Sequence, residues 1–244
     1  MARICVASHH GSLGELRNDP EFAELVRRDD TLIELRLDRY ADLSAANLEA
    51  TLRAFDPARV LVTHRSPDEG GQQPEASDAQ RFFYLSHATA LGAAFVDIEL
   101  ATLRRCPDAW RALRAARFRQ TRFVVSFHDF HGSPTAPRLR DLRREAEAAG
   151  ADVVKVAVSA ATVFETVPLL ELLLESGWTR PFLGLAMGEA GLWSRVLGPR
   201  FPTPAPFTFA RSGHAPGTAP GQPTWREMAD HYRFPRIQPD WPVY

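Results

Sequence analysis

The chain has 244 residues, is 45% hydrophobic and carries a formal net charge of −1 at pH 7. That length is large for one ordinary domain but normal for a single α/β barrel, and the apolar fraction supplies a large core. The near-neutral balance has no basic run of the kind that tracks a phosphate backbone, and no apolar run approaches the roughly 20 residues of a membrane span, so neither nucleic acid nor membrane is expected as a partner.

Short β-branched runs alternate with longer helical ones. In chain order the pattern predicts strand Ile4–Ser8, helix Asp19–Arg28, strand Leu32–Asp38, helix Leu43–Phe55, strand Val60–Arg65 and helix Ala76–Leu91. Strand Phe95–Leu100, helix Leu103–Arg117, strand Arg122–His128, helix Arg138–Ala149, strand Asp152–Val158 and helix Thr162–Ser176 follow. Strand Pro181–Gly188, a shorter helix Ala190–Leu197, strand Pro206–Ala210 and a last helix Thr224–Tyr232 complete the series. Eight strand–helix units in this length predict a (β/α)8 TIM barrel over residues 1–232, with a Pro-rich extension at 233–244. A doubly wound open sheet is the alternative. It would carry a Gly-rich phosphate fingerprint after the first strand, and Ser8-His9-His10-Gly11-Ser12-Leu13-Gly14 is not one. The Gly/Pro-rich stretch Ser212–Pro223 is a long loop after the eighth strand, of a length that often carries function.

The N-terminal apolar run is too short for a signal peptide. Cys5 and Cys106 lie far apart with no CxxC spacing, which suggests neither a disulfide framework nor a zinc site. A reducing cytoplasm is the expected compartment.

One composition count stands out. The chain has 28 arginines and a single lysine, Lys155, where a typical chain of this length would carry roughly fifteen. Arginine stays protonated and cannot be an amine nucleophile, whereas lysine can attack a carbonyl to form a Schiff base. Lys155 sits in the apolar run Ala151–Val158, which reads as a strand buried on both faces. Apolar surroundings disfavour an ammonium and favour the neutral, nucleophilic amine. A snorkelling strand-end lysine in a lysine-poor chain is the competing reading, and composition alone leaves both open.

In a parallel barrel, chemistry gathers where strands end. Glu34, Arg36 and Asp38 alternate on the second strand and so share one face, where they need partners or a polar ligand; an internal salt-bridge network is the structural alternative. The third strand ends in His64-Arg65, followed by Ser66-Pro67-Asp68-Glu69-Gly70-Gly71. Asp97 and Glu99 lie on the fourth strand, and Asp97 is expected to neutralise interior arginines. The fifth strand ends in Ser126-Phe127-His128-Asp129-Phe130-His131. His9, His10, His64 and His131 read as polar loop or strand-end residues, and no metal is expected, because a lysine supplies an electrophilic route without one.

Together these segments resemble the type I 3-dehydroquinate dehydratases, from Ile4 to about Trp225. The resemblance rests on Glu34-Leu35-Arg36-Leu37-Asp38, Arg65 to Gly71, Asp97-Ile98-Glu99, Ser126-Phe127-His128-Asp129-Phe130, Lys155-Val156-Ala157-Val158, Met187-Gly188 with Gly191 to Arg195, and Ala219-Pro220-Gly221-Gln222. Seven segments in order, each at the matching strand end, make a specific signature. The resemblance implies a TIM barrel that dehydrates 3-dehydroquinate to 3-dehydroshikimate through a lysine Schiff base, the third step of the shikimate pathway to aromatic amino acids. It implies no cofactor, a small-molecule substrate, a cytoplasmic location and a homodimer.

For the residues, the resemblance implies that Lys155 condenses with the ring ketone, His128 is general base and then acid, and Glu69 orients His128. Arg195 would clamp the substrate carboxylate, with Gln222 and Thr218 at the same end. Glu34, Arg36 and Arg65 would read the ring hydroxyls, and Phe130 and Met187 would form apolar walls. Two departures from the family pattern are visible: Thr218 replaces the usual serine before Ala-Pro-Gly-Gln, and Pro202-Thr203-Pro204-Ala205-Pro206 replaces the usual Gly-Ser before the eighth strand. Two competing readings remain testable. A class I aldolase would show a sugar-phosphate site near the last two strands, with no clear helix N-terminal pattern for it here. A non-catalytic relative would have lost Lys155 or His128, and both are present.

Overall fold

Period-2 alternation sorts each strand's side chains into an inner and an outer set. The computed structural model describes residues 2–117, 120–213 and 217–238. The strands are β1 (Arg3–Ala7), β2 (Thr31–Arg36), β3 (Val60–Thr63), β4 (Phe95–Glu99), β5 (Arg122–Asp129), β6 (Val153–Ser159), β7 (Phe182–Met187) and β8 (Phe207–Arg211). All are parallel and follow the order β7-β6-β5-β4-β3-β2-β1-β8. This is the expected (β/α)8 barrel, nearly closed. Among the described residues β7 and β8 share no ladder. One backbone bond near the seam, from Phe182 N–H to the Thr203 carbonyl at 3.4 Å, leads into Pro204 and Pro206, which have no N–H to donate.

The outer set packs under the helices and includes Ile33, Leu35, Val62, Val96, Ile98, Val125, Val154 and Val156. The inner set fills the barrel with Cys5, Leu32, Leu61, Phe95, Val124, Val153, Leu183 and Phe207. Phe95 and Phe207 meet edge to face with centroids 5.0 Å apart, plugging the end where strands begin. One alternation step further along the strands, the inner set turns polar: Glu34, Thr63, Asp97, Ser126 and Lys155 are all buried. The same alternation therefore seals one end of the barrel and builds the site at the other.

The helices are α1 (Leu13–Asn18), α2 (Pro20–Arg27), α3 (Ala45–Phe55), α4 (Asp78–Ala90), α5 (Leu100–Arg105), α6 (Pro107–Ala115), α7 (Ala136–Ala148), α8 (Val167–Leu174) and α9 (Leu192–Val196). Side-chain caps explain several starts: Ser12, Asp19, Ser44 and Ser77 each accept a backbone N–H from the first turn. The expected helix Leu103–Arg117 is two helices, because Pro107 starts a new one and cannot continue the old. The first of them already begins at Leu100, which was expected on the strand. Asp38, expected on β2, lies past its end in a 3-10 turn over Leu37–Arg39. Expected helix Thr162–Ser176 shrinks to a 3-10 turn plus α8, and Thr224–Tyr232 contains a π-helical turn at Glu227–His231. Phe234, at the start of the Pro-rich extension, is buried in the outer core; residues 239–244 of that extension lie outside the described residues.

Candidate active site

Lys155 occupies the middle of β6, where its register sets it beside Ser126 on one side and Leu183 on the other. Its side chain is buried, and Nζ donates to Asp97 Oδ2 at 2.9 Å. The face of the Phe209 ring lies 4.2 Å from Nζ. The apolar neighbours expected of Lys155 surround its stem, and a buried carboxylate meets the amine.

Asp97 is the middle of a longer chain of buried charges. Its Oδ1 accepts from Ser126 Oγ at 2.6 Å and pairs with Arg65 Nη2 at 3.1 Å. Arg65 Nη1 donates to Ser126 Oγ and to Glu99 Oε1, both at 2.9 Å. Glu99 Oε2 in turn receives Arg81 and the Thr102 hydroxyl. The run Lys155–Asp97–Arg65–Glu99–Arg81 alternates in sign, so each buried charge has an opposite neighbour. Burial alone would raise the Asp97 carboxyl, but Arg65 and Lys155 outweigh it and hold it far below the usual range. Burial likewise works against the Arg65 cation, and Asp97 with Glu99 reverses the direction.

His128 stands near the end of β5, and Glu69 reaches it from the loop after β3. One oxygen, Glu69 Oε2, lies 2.9 Å from His128 Nδ1 and accepts the His128 backbone N–H, also at 2.9 Å. The sequence after Arg65 shows why the loop can do this. Gly70 takes φ 87, a left-handed conformation, directly after the turn over Pro67–Glu69. A Cβ on Gly71 would sit 2.2 Å from the Arg65 carbonyl oxygen. Asp38 ties the loop from below: it accepts Arg65 N–H at 3.3 Å and Gln72 N–H at 3.1 Å, and takes both arms of Arg36 at 2.9 and 2.7 Å. Burial pushes the Glu69 carboxyl up to about 8, against Arg65 and with help from Glu99. Burial, then Arg65 and Lys155, hold the His128 imidazole well below its ordinary value. The histidine is therefore neutral at neutral pH.

The opposite wall is Arg195, on α9. Ser194 locks this helix to β7 by accepting the Ala186 N–H at 2.9 Å and donating to the Gly191 carbonyl at 2.7 Å. The chain can pack so closely only because residue 191 is glycine, since a Cβ there would lie 2.1 Å from the Ala186 oxygen. Arg195 is almost fully buried, and its Nε and Nη2 have no hydrogen-bond partner among the described residues. Burial without any carboxylate pulls it down to about 10. A buried guanidinium with two free donors in a fork is a carboxylate receptor in chemical terms. Beside it, Gln222 Oε1 accepts the Thr218 N–H at 2.8 Å.

All eleven residues put forward from the sequence line one cavity: Lys155, His128, Glu69, Glu34, Arg36, Arg65, Arg195, Thr218, Gln222, Phe130 and Met187. Its groups have the composition of a site for a small polar acid: an amine, a neutral imidazole, an unpaired guanidinium and several hydroxyl-binding side chains.

Comparison with known proteins decides the family. The model for type I 3-dehydroquinases matches residues 4–239. The chain belongs to the type I 3-dehydroquinase family. It is 34% identical over 191 residues to the 3-dehydroquinate dehydratase of Methanothermobacter thermautotrophicus, covering 78% of this chain and 79% of that one. It is 32% identical over 213 residues to the chloroplastic bifunctional 3-dehydroquinate dehydratase/shikimate dehydrogenase of Arabidopsis thaliana; that match takes in 87% of this chain but only 34% of the relative. The crystal structure of 3-dehydroquinate dehydratase from Geobacillus kaustophilus superposes with a TM-score of 0.78 at 28% identity, covering 96% of this chain and 89% of that one.

Several residues in and around this cavity were not singled out from the sequence. Asp97 was read as a neutraliser of arginines; it pairs with Arg65 but also holds Lys155. Ala157, Leu185 and Phe209 line the cavity. Strand alternation carried that signal: Ala157 is two residues beyond Lys155, and Phe209 is two beyond the plugging Phe207. Of the three charges expected together on β2, Glu34 accepts the Thr63 hydroxyl at 2.7 Å, while Arg36 and Asp38 form the internal pair that was the structural alternative. Phe130, expected as a wall, stands at the rim, half exposed and stacked over His128 with centroids 6.4 Å apart. Met187 is a buried wall. His64 is fully buried and lies 3.1 Å from Gln73 through Nε2, bracing the loop that carries Glu69. Among the described residues, no helix is long and apolar enough to cross a membrane.

Proposed function

We propose that Lys155 forms the Schiff base through which this chain, as a type I 3-dehydroquinase, dehydrates 3-dehydroquinate to 3-dehydroshikimate in the shikimate pathway. The observation that carries this reading is the convergence of a lone lysine, a neutral histidine and an unpaired arginine on one cavity.

His128 takes the proton that Lys155 shares with Asp97, the freed amine attacks the ring ketone, and the same proton leaves with the carbinolamine hydroxyl as water, giving an iminium ion. Asp97 and the Phe209 face lie where that cation develops and stabilise it. The iminium draws electrons from the adjacent carbon, whose proton passes to His128 Nε2. Before this transfer an ionised Glu69 accepts the Nδ1–H, which fixes the tautomer that leaves the Nε2 lone pair free. The resulting enamine expels the β-hydroxyl, which leaves as water with the proton His128 has just accepted. Water then hydrolyses the conjugated iminium, releasing the enone and the amine. The net change is one water lost from the substrate.

Arg195 grips the carboxylate through its free fork, with Gln222 and Thr218 beside it. Glu34, Arg36 and Arg65 orient the ring hydroxyls, and Met187 with Phe130 limits water. We extend the reading to a catalytic unit at 1–232, a cytoplasmic location and a homodimer; light scattering at twice 27.2 kDa tests the last. The activity itself is tested by mixing the pure chain with 3-dehydroquinate and following ultraviolet absorbance of the conjugated product. Growth of that absorbance with enzyme concentration is expected; its absence overturns the reading.

A further inference from the structure

Outside the active cavity, His9 and His10 follow β1 on the turn into α1, with rings stacked at 4.3 Å. His10 Nε2 lies 2.9 Å from Asp19 Oδ2, and Asp19 caps α2 with its other oxygen. One ligand atom from each of His9, His10 and Asp19 lies within 4.8 Å of the other two. Metal bonds of about 2.0–2.2 Å in a tetrahedral site place ligand atoms about 3.4 Å apart, so the widest pair of this group would close by up to about 1.4 Å.

The His10 side chain is only 10% exposed, and its Nε2 faces Asp19 Oδ2, so an ion would take the place of the proton between them. The ring proton would then sit on Nδ1, which is buried without a hydrogen-bond partner. Glu21, next to this group, also has a buried oxygen without a partner, while its other oxygen takes the Trp225 indole N–H and the Gly213 N–H. Ser212 holds His9 Nδ1 at 3.0 Å and leaves its Nε2 free for a ligand.

We propose that His9, His10 and Asp19 form a binding site for a divalent transition metal of the zinc class. Two imidazoles and one carboxylate favour zinc, cobalt or nickel over magnesium and calcium, which prefer all-oxygen sites. None of the three residues lines the active cavity. The metal joins the end of β1, the start of α2 and, through Ser212, the segment after β8. It is a fastener and takes no part in the dehydration.

The test uses untagged, chelator-treated full chain titrated with zinc chloride by calorimetry, with cobalt(II) as the spectroscopic probe. One saturable site per chain in the micromolar range, visible cobalt bands and a raised Tm are expected. His10→Ala removes the site. Asp19→Asn keeps an oxygen to cap α2 and weakens binding about 10–100-fold, so it decides the matter if His10→Ala folds poorly. His131→Ala, an exposed histidine elsewhere, keeps full affinity and serves as the control. Dehydratase turnover of the Asp19→Asn chain stays at the parent level. No saturable binding, or equal binding by parent and Asp19→Asn, overturns the proposal.

Discussion

Replacing Glu69 with glutamine keeps the shape of the histidine pair and removes its ionisation. In the parent, the Glu69 carboxyl is pushed up to about 8. When protonated, it donates to His128 Nδ1, which leaves the ring proton on Nε2 and no base facing the cavity. Only the carboxylate accepts the Nδ1–H and frees the Nε2 lone pair. The active fraction is then about a tenth at pH 7, half near pH 8 and about nine-tenths at pH 9. Parent kcat/KM therefore climbs roughly ninefold between pH 7 and pH 9 from this group. In Glu69→Gln the amide oxygen can take both bonds that Oε2 now takes, from the backbone N–H and from Nδ1. The tautomer is then correct at every pH and this rise disappears. The alkaline plateau falls by roughly tenfold, because a neutral acceptor stabilises the imidazolium less than a charged one. Initial rates of product absorbance across pH 6.5–9.5 measure both chains. An unchanged alkaline rise in the glutamine variant, or a parent rate that falls over this range, refutes the reasoning.

Three further outcomes follow from the same geometry. Asp97→Asn leaves Lys155 and Arg65 short of a buried counter-charge and is expected to cost about 3–5 kcal/mol in urea unfolding, with turnover largely lost; a cost below about 1 kcal/mol would contradict the buried network. Stability falls with acid: the carboxyls of Asp38, Asp97 and Glu99 are held below their ordinary range because their arginine partners, joined by Lys155 at Asp97, outweigh burial. Their contribution is full above the unfolded carboxylate value of about 4 and is lost as pH drops through the folded values, so Tm should decline steadily below pH 4; a Tm that holds or rises there contradicts it. Arg195→Lys replaces the fork with a point charge and should raise KM by about 10–100-fold, and an unchanged KM would remove the carboxylate clamp.

Much of the barrel was legible because its strands are β-branched runs with turns between them, and because parallel strands buried on both faces look alike wherever they occur. The site was legible where one residue type broke a pattern, as Lys155 does among 28 arginines. What could not be read was mostly long-range. The Lys155–Asp97 bond spans 58 positions and depends on barrel closure, which no local window contains. The Glu69 ionisation depends on burial against Arg65 and Glu99, which only packing creates. α1 has six residues, too few for a helical period to show. The break between α5 and α6 is different, since Pro107 announces it locally. The open seam between β7 and β8 follows from prolines visible in the sequence, but their effect required knowing which strands would meet.

The proposed dehydration runs through a covalent bond to one amine, and this chain makes that bond simple to test. With a single lysine, borohydride reduction in the presence of 3-dehydroquinate can mark only Lys155 or the N-terminal amine. Intact mass followed by peptide mapping should show one reduced adduct per chain, on Lys155, and none in a folded Lys155→Arg chain that has lost turnover. An adduct elsewhere, or Lys155→Arg protein that still dehydrates the substrate, would contradict the account.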